Sequence, residues 1–174
     1  GYAYLATHGY TPIGFDHFAK PGGDPLAKAA FEGRLKRNFQ GFTDDQSEVL
    51  IGLGASSISS FPQLLAQNEK NSGRYRMLSS QGLLSAGRGV TRSADDRYRG
   101  AVIEQLLCQG RARLGACLMH EASGRLRPFI ERGLASIDRQ WLEILPEGLP
   151  YARSIAAIFD AYRPVSARRF SSAV

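Results

Sequence analysis

The sequence is poor in cysteine, in histidine and in long apolar runs, and each shortage excludes a class of protein. Its two cysteines, Cys108 and Cys117, stand nine positions apart, a spacing that matches neither a disulfide framework nor a closely grouped metal knuckle. Buried spectator thiols are expected instead. Of the three histidines, His8 and His120 stand apart and give no metal pattern. No run approaches the roughly 18 to 20 consecutive apolar residues of a membrane span, and no basic-then-apolar start marks a secretory signal. A soluble, cytoplasmic chain with no membrane partner is expected. Acidic residues are also the minority: 16 Asp and Glu against 22 Lys and Arg leave a net charge of +6. That excess suits either an anionic partner or a solvated basic surface.

What is present suits a folded core. With 174 residues, 43% hydrophobic and 22% charged, the chain has apolar material for one globular core with a small appended module. Its first nine residues, GYAYLATHG, contain no Met and read as the end of a helix stopped by Gly9, so a piece of a longer chain is expected. Tyr10 to Phe15 reads as a short strand ending in Asp16-His17-Phe18, the apolar-to-polar change found at ligand-facing strand ends. Asp24 is a cap and Pro25 a first helical residue for a helix to Glu32, with Gly33 as its stop. The apolar run within Glu48 to Leu53 predicts a strand buried on both faces, as in a parallel sheet, entering a small-residue turn from Gly54 to Ser60. The first 65 residues therefore read as the last two β/α units of an α/β sheet or barrel.

From Asn68 onward the pattern is helical. Lys70 to Gln81 is one candidate, and Ser93-Ala-Asp-Asp96 approximates a capping box ahead of an apolar stripe at Val102, Ile103, Leu106 and Leu107. A further helix carries Leu126, Phe129 and Ile130 and ends at Gly133. Two short strands, Leu134 to Asp138 and Trp141 to Leu145, follow with a turn at Asp138-Arg139-Gln140. Pro146-Glu-Gly148 then opens a final helix through Ile155, Ile158, Phe159 and Tyr162. The predicted class is α/β: residues 1–65 form the end of a partial (β/α) barrel, and residues 66–174 a mainly helical carboxy-terminal domain with a winged-helix-like end. Winged helices often bind DNA. The helices here are poor in the Asn, Gln and Lys that read bases, so no nucleic-acid partner is expected.

Four segments carry a resemblance. Gly14-Phe-Asp-His-Phe-Ala19, Arg37-Asn-Phe-Gln-Gly41, Gly52-Leu-Gly-Ala-Ser-Ser-Ile-Ser59 and Ala66-Gln-Asn68, in this order and spacing, closely resemble the carboxy-terminal half of the bacterial oxygen-independent coproporphyrinogen III oxidase family. The likeness continues through Asp95-Asp96, Arg99, Val102-Ile103, Cys108, Gly133-Leu134, Phe159-Asp160, Tyr162 and Phe170-Ser171. The chain departs where Phe42-Thr43-Asp44 stands in place of a tyrosine and two threonines, and again along Gln109 to Leu114.

The resemblance implies an oxidoreductase of the radical S-adenosylmethionine type that decarboxylates two propionates of coproporphyrinogen III to vinyl groups in haem synthesis. It further implies a four-iron four-sulfur cluster whose closely spaced cysteines belong to another part of such a protein, since clusters need grouped thiolates and none occur here. Alone, this stretch is expected to hold no cluster and to be inactive. The adenosylmethionine contacts that transfer by motif are Phe39, Gln40 and Ile58. Gln40 both donates and accepts hydrogen bonds, as an amino-acid moiety requires, Phe39 offers an apolar wall, and main-chain groups near Ile58 lie beyond two glycines that let a ligand approach closely. No residue here is assigned a catalytic or metal-binding role. Asp16 and His17 read as a structural hydrogen-bonding pair, and the arginines from Arg88 to Arg99 as candidates for propionate recognition. Two rivals remain: a basic winged-helix module for nucleic acid or an acidic protein, and a haem-utilisation relative on the same scaffold.

Overall fold

The structure, a computed structural model, describes residues 2–20 and 23–163; the Phe170-Ser171 likeness lies outside them. Helix α1, Tyr2–Thr7, leads into strands β1, Thr11–Ile13, and β2, His17–Ala19, which pair as an antiparallel hairpin. Asp16 and His17 therefore occupy a tight turn and the first position of a returning strand, rather than the exit of a parallel one. Helix α2, Pro25–Phe31, forms as its local signals dictate: the Asp24 carboxylate accepts the Leu26 N–H at 2.9 Å, and Pro25 sits where a missing N–H costs nothing.

The next stretch holds a two-stranded hairpin of β3, Lys36–Arg37, and β4, Phe42–Thr43, and then a three-stranded sheet. That sheet orders β5, Ile58–Phe61, β6, Leu64–Asn68, and β7, Ala86–Thr91, all antiparallel. The two-sided parallel strand expected at Glu48 to Leu53 is not formed among the described residues. Leu50 makes an isolated antiparallel bridge to Ser60, while Val49, Ile51 and Leu53 are 43%, 69% and 84% exposed. An apolar run signals burial on two faces, but among the described residues this segment has one bridging neighbour and no layer over Val49, Ile51 and Leu53. No closed barrel is present among the described residues. The division expected at residue 65 falls inside β6, whose ladder with both neighbours ties the two sides into one sheet.

Helix α3, Ser72–Ser80, is capped by Asn71, whose side chain accepts the Arg74 N–H at 2.9 Å. Helix α4, Ala94–Gln109, begins with the expected box: the Ser93 hydroxyl accepts the Asp96 N–H at 3.1 Å and the Asp96 carboxylate accepts the Ser93 N–H at 2.8 Å. Strand β8, Arg111–Arg113, helix α5, Ala116–Glu131, and the hairpin of β9, Ala135–Asp138, with β10, Trp141–Ile144, complete a second sheet in the order β8-β10-β9. The expected final helix is broken instead into a 3-10 turn at Pro146–Tyr151, a short α6 at Ala152–Ala156 and a further 3-10 turn ending at Phe159, so Tyr162 lies beyond it.

Two apolar clusters hold these layers. The larger gathers Val102, Leu106, Leu114, Leu126, Leu142, Ile155 and Phe159, each at most 2% exposed. The smaller holds Ile13, Ala19, Ala29, Leu35 and Cys108. Cys108 belongs to α4, as do Val102 and Leu106, so one helix buries opposite parts of its surface in both clusters. Two polar contacts reinforce this bridge. The Glu104 carboxylate accepts the main-chain N–H of Arg37 at 2.9 Å, and the Gln109 amide donates to the Gly33 carbonyl at 3.0 Å.

Candidate functional site

The Asn38-Phe39-Gln40-Gly41 segment is the turn between β3 and β4. The Asn38 side-chain oxygen accepts N–H groups from Gln40 at 2.8 Å and Gly41 at 3.2 Å, while the Asn38 N–H donates to the Gly41 carbonyl at 2.9 Å. One asparagine thus satisfies the turn's own backbone, leaving the Phe39 and Gln40 side chains exposed at its tip. The Glu104 contact to Arg37 fixes the hairpin against α4 just before that tip.

The glycine-rich segment is braced from β6. The Asn68 amide donates to the carbonyls of Gly52 and Gly54, both at 3.0 Å, and the Gln67 amide to that of Ser56 at 3.0 Å. The buried Ser59 hydroxyl accepts the Gly52 N–H at 3.0 Å, and the Tyr75 hydroxyl that of Gly54 at 3.0 Å. Ser60 bonds to Leu50 through both its N–H and its C=O. In an antiparallel ladder alternate residues direct their polar groups to the same side, so the Ile58 N–H and C=O turn toward the Gly52 edge. A β-carbon on Gly52 would lie 2.7 to 2.9 Å from the Ile58 main chain, so only glycine allows this approach. Gln67 and Asn68, whose role the sequence does not reveal, are the props of the loop.

A cleft of about 760 Å³ lies between the β3–β4 hairpin, the extended residues around Leu50, β5 to β7, α4 and the chain from Phe159 to Tyr162. Phe39 lines it. Ile58 shares a face of β5 with Ser60, which also lines it, whereas Gln40 stands exposed at the turn tip. Of the three expected contacts only Phe39 lines the cleft; Gln40 and Ile58 do not, although Ser60, two residues along β5 from Ile58, does.

Charge in this region is organised by short contacts. Asp96 is held below the usual carboxylate range chiefly by bonds from Ser93, then from the Tyr162 hydroxyl, whose own pKa is raised in return. Arg99 donates to both Glu121 oxygens, at 3.0 and 2.6 Å, and to Asp95 at 2.6 Å. The Glu121 contact, then the Asp95 one, raises the arginine's pKa, and Glu121's falls. Arg37 lies over the rings of Phe15 and Phe42, at 5.9 and 5.6 Å from their centroids. Neither Arg37 nor Glu104 was marked out in the sequence as a site residue, because their roles depend on α4 packing against a hairpin 67 positions earlier. Asp16 and His17 do bond to each other, at 2.6 Å, with the imidazole edge-on to Phe42, and both are exposed and off the cleft.

The described residues contain no group of three His, Cys, Asp or Glu side chains placed to hold a metal. Burial pushes the Cys108 thiol up to about 12, with Glu104 adding to the rise and Arg37 opposing it, whereas Cys117 is exposed. Because the thiolate is the reactive form, iodoacetamide at pH 8 is expected to alkylate Cys117 rapidly and Cys108 only after unfolding. Mass spectrometry of the native protein reads this, and equal rates at both thiols would contradict the buried placement.

No family model matches the sequence. Individual proteins do. The chain is 46% identical over 162 residues to the oxygen-independent coproporphyrinogen III oxidase of Cereibacter sphaeroides, covering 88% of this chain and 36% of that protein. It is 39% identical over 179 residues to the same-named protein of Bradyrhizobium diazoefficiens, covering 98% and 40%. The solved structure of the Escherichia coli coproporphyrinogen III oxidase, described as a radical SAM enzyme, superposes with a TM-score of 0.83 at 34% identity, over 92% of this chain and 39% of that one. The chain therefore spans about two fifths of the length of these relatives. With the hairpin turn and the braced glycine loop in place, these likenesses establish that the chain belongs to the oxygen-independent coproporphyrinogen III oxidase family, matching the carboxy-terminal part of its members.

Proposed function

We propose that this chain builds one wall of the adenosylmethionine and substrate site of a cytoplasmic oxygen-independent coproporphyrinogen III oxidase, which oxidatively decarboxylates two propionates of coproporphyrinogen III to give protoporphyrinogen IX. The observation that carries this reading is the Asn38-braced turn, which holds Phe39 on the cleft and Gln40 exposed at its tip, with Ser60 of the Ile58 strand lining the same cleft. Adenosylmethionine, when bound, supplies the radical chemistry of the family. The contribution of this chain is to hold it. The Gln40 amide pairs with the ammonium and carboxylate of its amino-acid end, Phe39 covers apolar surface and keeps water out, and the Ile58 N–H and C=O match the donor and acceptor of an adenine edge.

A four-iron cluster does not fit this chain. It needs grouped thiolates, and here one of two thiols is buried and held protonated in the neutral range. The partial-barrel reading draws support from Val49, Ile51 and Leu53, every second residue of the run, which are exposed and leave an apolar face open for a covering layer. The winged-helix-like reading draws support from the order helix, strand, helix, hairpin over α4 to β10. We take that module as a cover for the cleft rather than a nucleic-acid reader.

Calorimetry of adenosylmethionine binding to the full-length protein carrying this sequence tests the reading. Gln40→Ala is expected to weaken binding by roughly ten- to a hundredfold, the range for lost hydrogen bonds to charged groups, with unchanged thermal stability because the side chain is exposed. Wild-type affinity in that variant would remove Gln40 from the site, and failure of the full-length protein to convert coproporphyrinogen III would overturn the functional reading.

A further inference from the structure

Four arginines line the cleft, Arg37, Arg92, Arg97 and Arg99, and they are not equivalent. Arg99 is committed: all three of its guanidinium nitrogens are engaged by Asp95 and Glu121, so it ties α4 to α5. The other three form no ion pair among the described residues. Arg88, in the same stretch of sequence, lies outside this cleft beside Gln67 to Lys70.

Arg37 is the most constrained of the three. Its N–H is anchored by Glu104, its guanidinium sits against Phe15 and Phe42, and its buried Nε has no hydrogen-bond acceptor among the described residues. A cation partly withdrawn from water without an anion carries an uncompensated desolvation cost, which an arriving carboxylate would offset. Arg92 lies along α4 where Gly100 leaves room; a β-carbon there would stand 3.4 Å from the arginine's Nη2. Five carboxylates line the same walls, Asp45, Glu48, Asp96, Glu104 and Asp160, and among the described residues all but Glu48 accept hydrogen bonds, Asp160 from the Tyr162 N–H. Asp45 accepts from Ser47, Asp96 from Ser93, and Glu104 from the Arg37 main chain. Among these charges the lining also holds the apolar side chains of Leu50, Leu65, Val90, Ile103 and Leu107.

We propose that Arg37, Arg92 and Arg97 are the carboxylate-receiving groups of this cleft, which takes a broad apolar ligand bearing several carboxylates at its edge. This rests on the functional reading above, under which the ligand is the tetrapyrrole and the carboxylates its propionates. The assignment sets Arg99 and Arg88 aside and adds Arg37. Planar guanidinium forks match carboxylates bidentately, and three of them around an apolar floor discriminate a tetracarboxylate from an uncharged macrocycle of the same shape.

The test is a fluorescence titration of the full-length protein with coproporphyrin III, the stable oxidised tetracarboxylate, and with its tetramethyl ester. Arg37→Gln, Arg92→Gln and Arg97→Gln are each expected to weaken binding of the acid roughly ten- to a hundredfold, leaving the ester and adenosylmethionine at wild-type affinity. Arg88→Gln is expected to change none of the three. Retained ester binding shows that the cleft is intact, so loss of acid and ester by the same factor counts against the assignment. Wild-type protein that binds the acid while all three variants match it overturns the arginine set alone. Wild-type protein that binds no tetrapyrrole overturns the functional reading and this inference with it.

Discussion

Replacing Phe159 by alanine is expected to lower the unfolding free energy by about 3–5 kcal/mol, the range for truncating a fully buried aromatic. The ring has no exposed surface and belongs to the cluster that joins α4, α5 and α6. Deleting it leaves a void that several helices would have to shift together to fill, and close-packed interiors relax only partly. A chain of this length loses roughly 2–4 °C of Tm per kcal/mol, so calorimetry should show a fall of roughly 6–20 °C. Urea unfolding should show a lower midpoint with an unchanged slope. Phe31→Ala provides the contrast: that ring is 93% exposed, and its loss should leave Tm within error. A loss below about 1 kcal/mol at Phe159 would mean that the cluster does not close over this ring.

Gly148→Ala is expected to destabilise by about 3 kcal/mol, the upper end for overpacking, because the atoms in the way are main chain. A β-carbon at this buried position would stand 1.9 Å from the Leu134 carbonyl oxygen and 2.8 Å from its carbon. That carbonyl is not free to retreat. It accepts the Leu145 N–H at 3.0 Å, and the Gly148 N–H donates in turn to Leu145 at 2.8 Å, so the 3-10 turn is locked onto the end of the hairpin. Gly124 is the control within the same module. It sits in α5 with open space where a β-carbon would go, and Gly124→Ala should stabilise by about 0.5–1 kcal/mol through lower unfolded-state entropy and better helix propensity. Chemical denaturation of the pair should therefore move midpoints in opposite directions. A neutral Gly148→Ala would show that the turn does not press on Leu134.

Features decided within a few residues were legible in the sequence. Asp24 with Pro25, and Ser93 with Asp96, mark helix starts because a cap needs only the three or four residues it bonds. Arg139-Gln140 closes the expected hairpin because a two-residue turn sets its own register. The Asn-Phe-Gln-Gly turn belongs with these: its asparagine folds the segment and leaves Phe39 and Gln40 presented, whatever packs behind.

Pairing between distant segments was decided elsewhere. The run from Glu48 to Leu53 reads as a two-sided parallel strand, yet among the described residues only Leu50 makes a β-bridge, because burial depends on what the rest of the fold brings alongside. Strand β7 carries two glycines and an arginine with every residue exposed, and β8 is Arg-Ala-Arg, so neither has an apolar alternation to betray it; their partners in β6 and β10 make them strands. The arginines show the same division. Composition alone determines that this protein carries excess positive charge, whereas only the packing of α4 against the β3–β4 hairpin and α5 decides which guanidinium is paired with Glu121 and which line the cleft with no ion pair among the described residues. Net charge is a sum over residue types, but the free energy of each charge depends on its neighbours and its access to water, and those are set by tertiary structure.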